Sequence, residues 1–454
     1  MKMRKMKKII KIKKVKKMNN TKSKKKIYLE KILRWMAIII LKKYNPHIIG
    51  ITGSVGKTST KEAVFSVLAA EFRVRRNEKN YNNEIGIPLT IIGAKSGEGS
   101  FLRWAGVFLK WMAVIASPFK YPEILVLEMG ADKPGDMKYL TEFIHLKTSI
   151  ITDVSPSHIE FFHTLENIAK EKGTLVKKLE EDGLAILNAD NKYVIELKNQ
   201  TKAEVLTCGF SEESDLQATD ISFAYNDQDQ EVHGLTFKLN FKGTTIPVRL
   251  NNILAKHQVY SALMAIAVGI KFEINLVEVA AALENFVSPC GRMNLLKGIK
   301  NTLLIDDSYN ASPTSVCAAL EVLEEVKAKR KIVVLGDMLE LGIETEKGHH
   351  EVARKFLEIG GDIFFAVGPR MKLAAEELKN KNFPKDKIFY FQDPIMAGLK
   401  LQEVMKEGDL VLVKGSQGAR MEKVLEEVIF KTLSARDLLC RQSKSWKEKP
   451  FDLV

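Results

Sequence analysis

The chain has few cysteines and no sign of a secretory leader. Its 454 residues include four cysteines at scattered positions (Cys208, Cys290, Cys317 and Cys440), and none belongs to a C-x-x-C pair. This spacing argues against a disulfide framework and against a zinc site, and it is typical of a reducing compartment. The apolar run at 36–41 is short, and two lysines rather than a small-residue cleavage site follow it. We therefore expect a cytoplasmic protein.

The sequence also lacks an uninterrupted apolar stretch of membrane-spanning length. The most membrane-like segment, 101–119, is interrupted by Arg103 and Lys110, which argues against a true span. We predict an amphipathic helix packed on its domain. A helix lying in a membrane interface is the alternative.

Beyond its first residues the chain has no excess of basic side chains. The net charge is +14, and residues 1–26 hold thirteen lysines and one arginine with no acidic residue. The other 428 residues therefore sum to zero. A basic tail is usually solvated, and the sequence allows a weak contact of residues 1–43 with an anionic membrane. The even charge of the remainder predicts no specific nucleic-acid partner.

What the chain does contain is a glycine-punctuated turn between an apolar strand and a helix, at 47–61 (HIIGITGSVGKTSTK). Gly53 and Gly56 let backbone N–H groups turn inward, and the helix N-terminus adds partial positive charge. Lys57 would reach terminal phosphates, and the Thr58 hydroxyl would ligate Mg²⁺. Isoleucine replaces the first glycine of the strict pattern G-x-x-x-x-G-K-[ST], so a turn that binds nothing is the alternative. The Lys-Thr pair favours a nucleoside triphosphate site.

Strand and helix patterns alternate along most of the chain, which is long enough for two or three domains. This alternation predicts α/β folds with mostly parallel sheets covered on both faces. Strands are predicted at 48–51, 124–129, 149–154, 184–188, 302–306, 331–336, 363–368, 387–391 and 410–414, helices at 27–43, 164–179 and 257–269, and β-rich structure at 203–250. The predicted parts are a basic tail and helix (1–44), a P-loop central domain (45–287), a C-terminal Rossmann-like domain (288–435) and a tail (436–454).

Polar residues at the carboxyl ends of predicted strands are the next candidates, because ligands gather there in open α/β sheets. Glu128 closes a buried strand and would be a carboxylate ligand of Mg²⁺, facing Thr58. An ordinary exposed acid at a strand end is the alternative. His158 follows the next strand, and imidazole binds metals, although a lone loop histidine is commonly no ligand. Spacing alone gives Lys172 no role beyond that of a solvated charge.

Ten short motifs occur in order over about residues 45–430, and together they resemble one family. They are 52–58 (TGSVGKT), 82–88 (NNEIGIP), 128–130 (EMG), 158–160 (HIE), 171–173 (EKG), 187–190 (LNAD), 256–258 (KHQ), 291–293 (GRM), 306–313 (DDSYNASP) and 335–342 (LGDMLELG). This set resembles the Mur ligases, the ATP-dependent amide-forming enzymes of peptidoglycan assembly. The last two motifs, with 414–416 (KGS), resemble the type that adds D-alanyl-D-alanine.

The resemblance implies an ADP-forming ligase of acids with amino acids or peptides. ATP would phosphorylate the carboxylate of a UDP-linked muramoyl peptide, and the amine of D-alanyl-D-alanine would attack the acyl phosphate. Phosphorylation gives a poor electrophile a leaving group, while the protein positions the reactants and neutralises charge. The implied process is peptidoglycan biosynthesis, and with it cell-wall biogenesis, cell shape and cell division. We expect a monomer.

The resemblance also implies residue roles. ATP would be bound by Gly53, Ser54, Val55, Gly56, Lys57, Thr58, Ser59, Gln258, Arg292 and Asp307. Metal, expected as two Mg²⁺ ions, would be held by Thr58, Glu128, His158 and Lys172. Substrate would contact Asn82, Asn83, Tyr309 and Asn310.

Lys57, Lys172 and Arg292 are the implied catalytic residues. Lys172 resembles the family lysine that CO₂ carbamylates, which would turn a cation into an anionic oxygen ligand for a second Mg²⁺. Carbamylation requires the neutral amine and hence a lowered pKa. Arg292 resembles an arginine that contacts the ATP phosphates, and Asp307 one that binds ribose, so we expect domain closure to complete the site.

Three departures from the family pattern bear on these roles. Gln258 stands where asparagine usually recognises adenine, and it keeps the amide while adding one methylene. Gln417 stands where arginine is frequent. The family domain that holds uridine diphosphate normally precedes the P-loop domain, and about 45 residues are too few for it. The uridine nucleotide is then held differently, or the acceptor is another molecule.

Other functions compete with this one. A Mur-like ligase with a different acceptor, such as a folylpolyglutamate synthetase-like enzyme, uses the same chemistry, but the motifs at 306–313 and 335–342 count against the folate version. A P-loop ATPase acting on membrane or nucleic acid through its basic tail would show salt-dependent stimulation. A non-catalytic partner is disfavoured by the retention of Lys57, Glu128, His158 and Lys172.

Overall fold

The computed structural model describes residues 24–78, 81–117, 121–156, 159–226, 228, 231–430 and 434–448. His158 and residues 1–23 of the basic tail therefore lie outside the described residues. The chain divides into two compact units, the first comprising Met1–Lys57 with Leu68–Cys208 and the second Thr58–Val67 with Gly209–Val454. The four-part division at 44, 287 and 435 stays a prediction.

The first half of the chain alternates strands and helices as its pattern predicts. Its elements are α1 (Lys24–Tyr44), β1 (His47–Thr52), α2 (Lys57–Leu68), β2 (Val74–Arg76), α3 (Gly86–Ile92), α4 (Phe101–Ala116), β3 (Ile124–Glu128), α5 (Asp136–Thr141), β4 (Thr148–Ile151), α6 (Ile159–Phe162), α7 (Leu165–Lys172), α8 (Thr174–Lys177), β5 (Leu184–Asn188), α9 (Lys192–Ile195), a 3₁₀ turn (Glu196–Gln200) and β6 (Glu204–Gly209). The helix predicted at 164–179 is interrupted at Gly173, where glycine weakens helix propensity.

The strands of the first unit form a parallel sheet in the order β2-β3-β1-β4-β5-β6. Strands β3 and β4 are buried along their whole length, and β1 is buried except at His47, as in a sheet covered by helices on both faces. Ile51 is in register with Glu128, and Thr52 with Ile151. The carboxyl ends of β1, β3 and β4 therefore meet at one edge, where the candidate residues lie.

The second half continues with an antiparallel ribbon and a second α/β sheet. Its elements are β7 (Leu216–Tyr225), β8 (Val232–Phe241), β9 (Thr244–Asn251), α10 (Gln258–Lys271), α11 (Leu276–Glu284), β10 (Asn294–Gly298), a 3₁₀ turn (Ile299–Asn301), β11 (Thr302–Asp307), α12 (Pro313–Glu325), β12 (Arg330–Gly336), a 3₁₀ turn (Gly342–Glu344), α13 (Thr345–Glu358), β13 (Ile363–Val367), α14 (Lys372–Asn380), a 3₁₀ turn (Lys385–Lys387), β14 (Ile388–Phe391), α15 (Pro394–Val404), β15 (Asp409–Lys414), a 3₁₀ turn (Gln417–Ala419), α16 (Glu422–Val428), α17 (Ala435–Leu438) and α18 (Lys444–Lys447).

The sheet of the second unit has the order β10-β11-β15-β12-β13-β14 and is parallel except at its β10 edge. Apolar side chains from α12, α13 and α14 cover one face, and those from α15 and α16 cover the other. The five strands predicted for this region are confirmed to within one residue at each end. In the described part of the chain, no helix is both long enough and apolar enough to cross a membrane.

Candidate active site

The turn after β1 is shaped by close contact with Thr152, at the end of β4. The Thr152 hydroxyl donates a hydrogen bond to the Val55 carbonyl oxygen (2.5 Å) and also lies 3.3 Å from the Thr52 carbonyl oxygen. A Cβ atom on Gly53 would lie 1.9 Å from that hydroxyl oxygen, so only glycine fits there. Gly56 has φ +84°, which also favours glycine. The turn at 53–56 is therefore a backbone cradle, fixed in place by Thr152 after the neighbouring strand β4.

Lys57 and Ser54 complete this cradle. The Lys57 ammonium donates to the carbonyl oxygens of Gly53 (2.6 Å) and Ser54 (3.2 Å), four and three residues earlier. Ser54 is fixed on Ser155: its hydroxyl donates to the Ser155 carbonyl (2.8 Å) and accepts from the Ser155 N–H (3.0 Å). The lysine charge is thus held over the turn, at the start of a twelve-residue helix.

Glu128 is a buried carboxylate at the end of β3. Its Oε1 accepts a hydrogen bond from the Asn82 amide (3.1 Å). The side-chain amide of buried Asn77 pairs with the Glu128 backbone: it accepts from the Glu128 N–H and donates to the Glu128 carbonyl, each at 2.9 Å. The expectation of a buried rather than exposed acid is confirmed.

Lys172 is the last residue of α7, and only 4% of its surface is exposed. Burial lowers its pKa from the usual value to about 7, and the cation of Lys57 adds to the effect. Asp153, Glu171 and Asp132 oppose the shift. The interpretation of Lys172 as a solvated charge, drawn from spacing alone, is therefore wrong, because the fold buries this position.

Sequence reasoning missed Asp153, which lies two residues after the end of β4. Its carboxylate accepts from the Asn191 amide (2.8 Å) and from the Ser155 hydroxyl (2.6 Å), and its carbonyl accepts from the Ser54 N–H (2.8 Å). Asp153 therefore binds the cradle through its backbone, and its negative charge acts on Lys172. Its position at the end of a predicted strand was a usable signal.

In the second unit, Arg292 lies on a loop fixed by Asp306. The buried Asp306 carboxylate accepts from the Gly291 N–H (3.0 Å) and from the N–H and hydroxyl of Ser308 (3.1 and 2.6 Å). Burial raises the pKa of Asp306 to about 6. The Arg292 guanidinium lies over the Tyr309 ring, 4.5 Å from its centroid. Two predicted residues, Arg292 and Tyr309, are thus brought into contact.

Asp307 is paired with Lys414 at the ends of two adjacent strands. The Lys414 ammonium donates to Asp307 Oδ2 (2.6 Å) and to the Asn310 carbonyl (2.9 Å). Lys414 is almost fully buried, so its charge is neutralised locally rather than by solvent. The strand register brings Asp307 and Lys414 side by side, which sequence separation could not reveal.

Ser416 links three of the motifs found in the sequence. Its hydroxyl accepts from the Leu339 N–H (2.8 Å) and donates to the Ala311 carbonyl (3.2 Å), and its own N–H donates to the Asp337 carbonyl (3.0 Å). The segments 306–313, 335–342 and 414–416 therefore meet at the carboxyl ends of β11, β12 and β15. Ligand sites of open α/β sheets lie at such ends.

Gln258 begins α10 and is completely buried. Its amide nitrogen donates to the Ser288 hydroxyl (2.8 Å), which in turn donates to the Arg292 carbonyl (3.2 Å). Among the described residues its amide oxygen has no hydrogen-bond partner. Gln258 thus connects α10 to the Arg292 loop, and its amide oxygen can still accept a hydrogen bond from a ligand.

Two comparisons with known proteins identify the family. A model of the Mur ligase middle domain matches residues 51–269, and a model of the Mur ligase, glutamate ligase domain matches residues 291–417. The UDP-N-acetylmuramoyl-tripeptide--D-alanyl-D-alanine ligase of Bacillus subtilis (strain 168) is 32% identical over 403 residues, which are 88% of this chain and 80% of that protein. The chain belongs to the Mur ligase family.

Solved structures agree with this Mur ligase assignment. The MurF ligase of Thermotoga maritima in complex with ADP is 25% identical, with a TM-score of 0.67 over 88% of this chain and 83% of that one. MurF from Acinetobacter baumannii has the same fold, with a TM-score of 0.72 over 88% and 80% of the two chains at 24% identity. The predicted α/β class with a P-loop is confirmed, and so is the resemblance drawn from the motifs.

The donor set of this Mur ligase fits a magnesium ion that is shared with phosphates. Among the described residues no three His, Cys, Asp or Glu side chains are grouped to form a metal cage. Mg²⁺ usually takes one or two carboxylates and completes its shell with water and phosphate oxygens. The buried Glu128 carboxylate beside the cradle is a donor of that kind, whereas the amine of Lys172 is not an oxygen ligand.

Proposed function

We propose that this Mur-family ligase joins D-alanyl-D-alanine to the carboxylate of a UDP-linked muramoyl tripeptide, with cleavage of ATP to ADP, as a step of cytoplasmic peptidoglycan biosynthesis. One observation carries the proposal. The three motifs that resemble the D-alanyl-D-alanine-adding type are joined through Ser416, at the strand ends where ligands bind. The name of the Bacillus subtilis relative, a UDP-N-acetylmuramoyl-tripeptide--D-alanyl-D-alanine ligase, supports the same assignment.

The cradle of Gly53, Ser54, Val55 and Gly56 would hold the ATP phosphates on its backbone N–H groups. Lys57 now donates to two loop carbonyls and would exchange these bonds for charge-assisted ones to phosphate oxygens. Thr58 and Ser59 follow at the helix N-terminus, which favours anions. The ADP bound by the Thermotoga maritima relative supports this use of the site.

Three residues of the second unit would bind the adenine, ribose and phosphate groups of ATP. The free amide oxygen of Gln258 would accept from the adenine amino group, as its family position implies. Arg292 would contact phosphates, and its stacking on Tyr309 already orders the guanidinium. Asp307 would bind ribose while it stays paired with Lys414.

Thr58 and Glu128 would hold Mg²⁺, which supplies charge neutralisation as the phosphoryl group moves. His158 and Lys172 would serve a second Mg²⁺, Lys172 in its carbamylated form. The buried amine with a pKa of about 7 supports carbamylation, because a neutral amine attacks CO₂ and an ammonium cannot. Glu128, fixed by Asn77 and Asn82, needs little rearrangement to act as a ligand.

The acceptor peptide would lie beside Asn82 and Asn83. A cavity of about 260 Å³ in the first unit is lined by these two residues, by Glu30 and Tyr139, and by the loop 132–136. The polar side chains of this loop, Asp132, Lys133 and Asp136, would fix the orientation of a bound peptide. Tyr309 and Asn310 would contact the incoming dipeptide. We expect the enzyme to act as a monomer.

The decisive experiment supplies ATP, Mg²⁺ and UDP-linked muramoyl tripeptide, with and without D-alanyl-D-alanine. Phosphate release and a new amide, detected by mass spectrometry, should both require the dipeptide. L-Alanyl-L-alanine is the matched control and should give neither.

Equal phosphate release with and without D-alanyl-D-alanine would show that this dipeptide is not the amine substrate. A ligase that accepts the dipeptide but not the UDP-linked peptide would support the alternative with a different acceptor. ATP cleavage stimulated by nucleic acid or lipid alone would support the P-loop ATPase instead.

A further inference from the structure

Helices α1 and α4 are locked together in the first unit by polar contacts. The Trp111 indole N–H donates to the Met36 carbonyl (3.1 Å). The Tyr44 hydroxyl contacts the carbonyl oxygens of Val114 (2.6 Å) and Ser117 (2.7 Å), and the Lys43 ammonium donates to the Ile115 carbonyl. These contacts fix one helix against the other, so the side chains they leave outside form one fixed surface.

The outer surface of this helix pair is apolar. Of the nineteen large apolar side chains that are exposed among the described residues, nine lie on these two helices. We call them the α1–α4 patch: Ile27, Tyr28, Ile32, Trp35, Phe101, Leu102, Phe108, Leu109 and Met112. Phe101 and Leu102 are 85% and 81% exposed, and Tyr28 is 67% exposed. Only Val107 of α4 is buried, so this helix uses little of its apolar surface for the core.

The patch is continuous across the two helices. Tyr28, Ile32 and Trp35 follow the spacing of one helix face. The Trp35 ring lies 5.3 Å from the Trp111 ring, which lies 5.5 Å from the Phe108 ring. A row of aromatic rings therefore joins the exposed face of α1 to that of α4, and exposed patches of this kind mark interaction sites.

The charges that the two helices themselves carry are almost all positive, and of these Arg34 and Arg103 are paired with Glu142 and Glu98 of neighbouring segments. Lys31 and Lys42 on α1 and Lys110 on α4 are exposed. The one acidic residue of α1, Glu30, is buried, and α4 contains none. In the sequence, residues 1–23, which precede α1, contain ten lysines and one arginine and no acidic residue. An apolar centre with a cationic surround complements an anionic, partly apolar surface.

We propose that the α1–α4 patch docks on an anionic lipid bilayer, with both helices in the plane of the interface. The apolar side chains would enter the boundary between headgroups and acyl chains, and the lysines would contact lipid phosphates. Neither helix is long and apolar enough to span, which agrees with an in-plane position. The positive charge favours an anionic bilayer over a second copy of the chain, because two identical cationic patches would repel each other. The proposal does not depend on the ligase activity.

Flotation of the full-length protein with vesicles tests it. We expect partition into phosphatidylcholine vesicles that contain phosphatidylglycerol to exceed partition into pure phosphatidylcholine by about tenfold, and to fall as salt rises. Emission from Trp35 should shift to the blue on binding, and the shift should be smaller in Trp35→Phe. Leu102→Ser with Leu109→Ser should weaken binding by about tenfold or more, because exposed leucines lose only their lipid contact.

Ile343→Ser is the matched control, since that side chain is 98% exposed elsewhere on the chain, and it should bind vesicles like the unchanged protein. Circular dichroism of the double serine variant should match the unchanged protein. Equal binding to neutral and anionic vesicles overturns the proposal. The proposal is also overturned if the double serine variant binds vesicles as well as the unchanged protein, while replacement of the lysines of 1–23 by glutamine abolishes binding. If the unchanged protein forms a dimer and the double serine variant is a monomer, the patch binds a second copy of the chain instead.

Discussion

At the scale of single residues, Lys172 shows how a fold can change the chemistry of a side chain. It ends a short helix that also carries the exposed Lys170, two residues earlier. One amine is buried near Lys57 and Asp153, while the other stays in water. Sequence spacing treats the two alike. Only the resemblance to Mur ligases singled out Lys172, and the burial supplies the physical reason.

The lowered pKa of Lys172 predicts carbamylation that increases with pH. Below pH 7 the amine is an ammonium and cannot attack CO₂, and as the pH rises through 7 it becomes neutral. An ordinary lysine, with a pKa of about 10.4, stays protonated over this range. Carbon-13 NMR with labelled bicarbonate should show one carbamate signal that grows between pH 6 and pH 8, values that bracket the pKa of about 7. Its persistence in Lys172→Ala would assign the signal elsewhere.

Removal of the Lys172 side chain should abolish turnover. We expect Lys172→Ala to lose at least about a hundredfold in kcat, since a metal ligand would be missing. Short-chain carboxylates should restore part of the rate by taking the place of the carbamate. Lys170→Ala, the control on the same helix, should keep normal activity. Full activity in Lys172→Ala would show that no carbamate is needed.

The close contact at Gly53 gives a second residue-scale prediction. Gly53→Ala places a methyl group 1.9 Å from the Thr152 hydroxyl oxygen, so the cradle must shift. Binding of ADP, measured by calorimetry, should weaken by about tenfold or more, and the free energy of unfolding should fall by about 1–3 kcal/mol. Gly106→Ala is the comparison, because nothing lies near its added methyl group in exposed α4. That variant should be stabilised by about 0.5–1 kcal/mol.

At the scale of elements, the structure places the chain's last described segment on the Tyr309 loop. The division that treats 436–454 as a tail stays a prediction, but Arg441, between α17 and α18, makes buried contacts with this loop. Arg441 donates to the Ser308 and Tyr309 carbonyls and pairs with buried Glu422 at 2.9 Å. Glu422 also binds Arg420 at 2.6 Å. These contacts connect distant parts of the sequence, so no local pattern could predict them.

Arg441→Ala should loosen the loop that carries Tyr309. Glu422 would lose one of two buried partners, so unfolding in urea should show a loss of about 3 kcal/mol. The KM for ATP should rise, because Tyr309 orders Arg292 by stacking. Arg436→Ala, an exposed arginine of α17, should change neither quantity. Unchanged stability of Arg441→Ala would mean that this ion pair contributes nothing.

The elements themselves were largely predictable, and the exceptions have physical causes. Buried parallel strands such as β3 and β15 are continuous apolar runs, which sequence pattern detects well. The edge strand β10 was missed because its five residues, NLLKG, contain only two apolar positions, too few to set a period. Motif residues were found, but their partners Asn77, Asp153 and Asp306 were not, because hydrogen bonds between distant segments leave no local signature.

At the scale of the whole molecule, nucleotide binding should stabilise the fold. A ligand at about one hundred times its Kd adds about 2.7 kcal/mol to the free energy of unfolding. ADP with Mg²⁺ should therefore raise the Tm, measured by scanning calorimetry. Lys57→Ala should remove most of this increase, whereas the exposed Lys95→Ala should keep it. A Tm that ADP does not change in the unchanged protein would contradict a phosphate cradle after β1.

Helix α1 has a further consequence, because its two sides belong to different surfaces. Glu30, on its inner side, lines the cavity beside Asn82, while Tyr28 and Trp35 point into solvent. Any tilt of this helix on adsorption would alter the cavity wall. Thermodynamic reciprocity then requires that peptide binding and adsorption change each other's equilibrium constant by one common factor. Titrating peptide against vesicle-bound enzyme, and vesicles against peptide-saturated enzyme, would measure that factor from both directions.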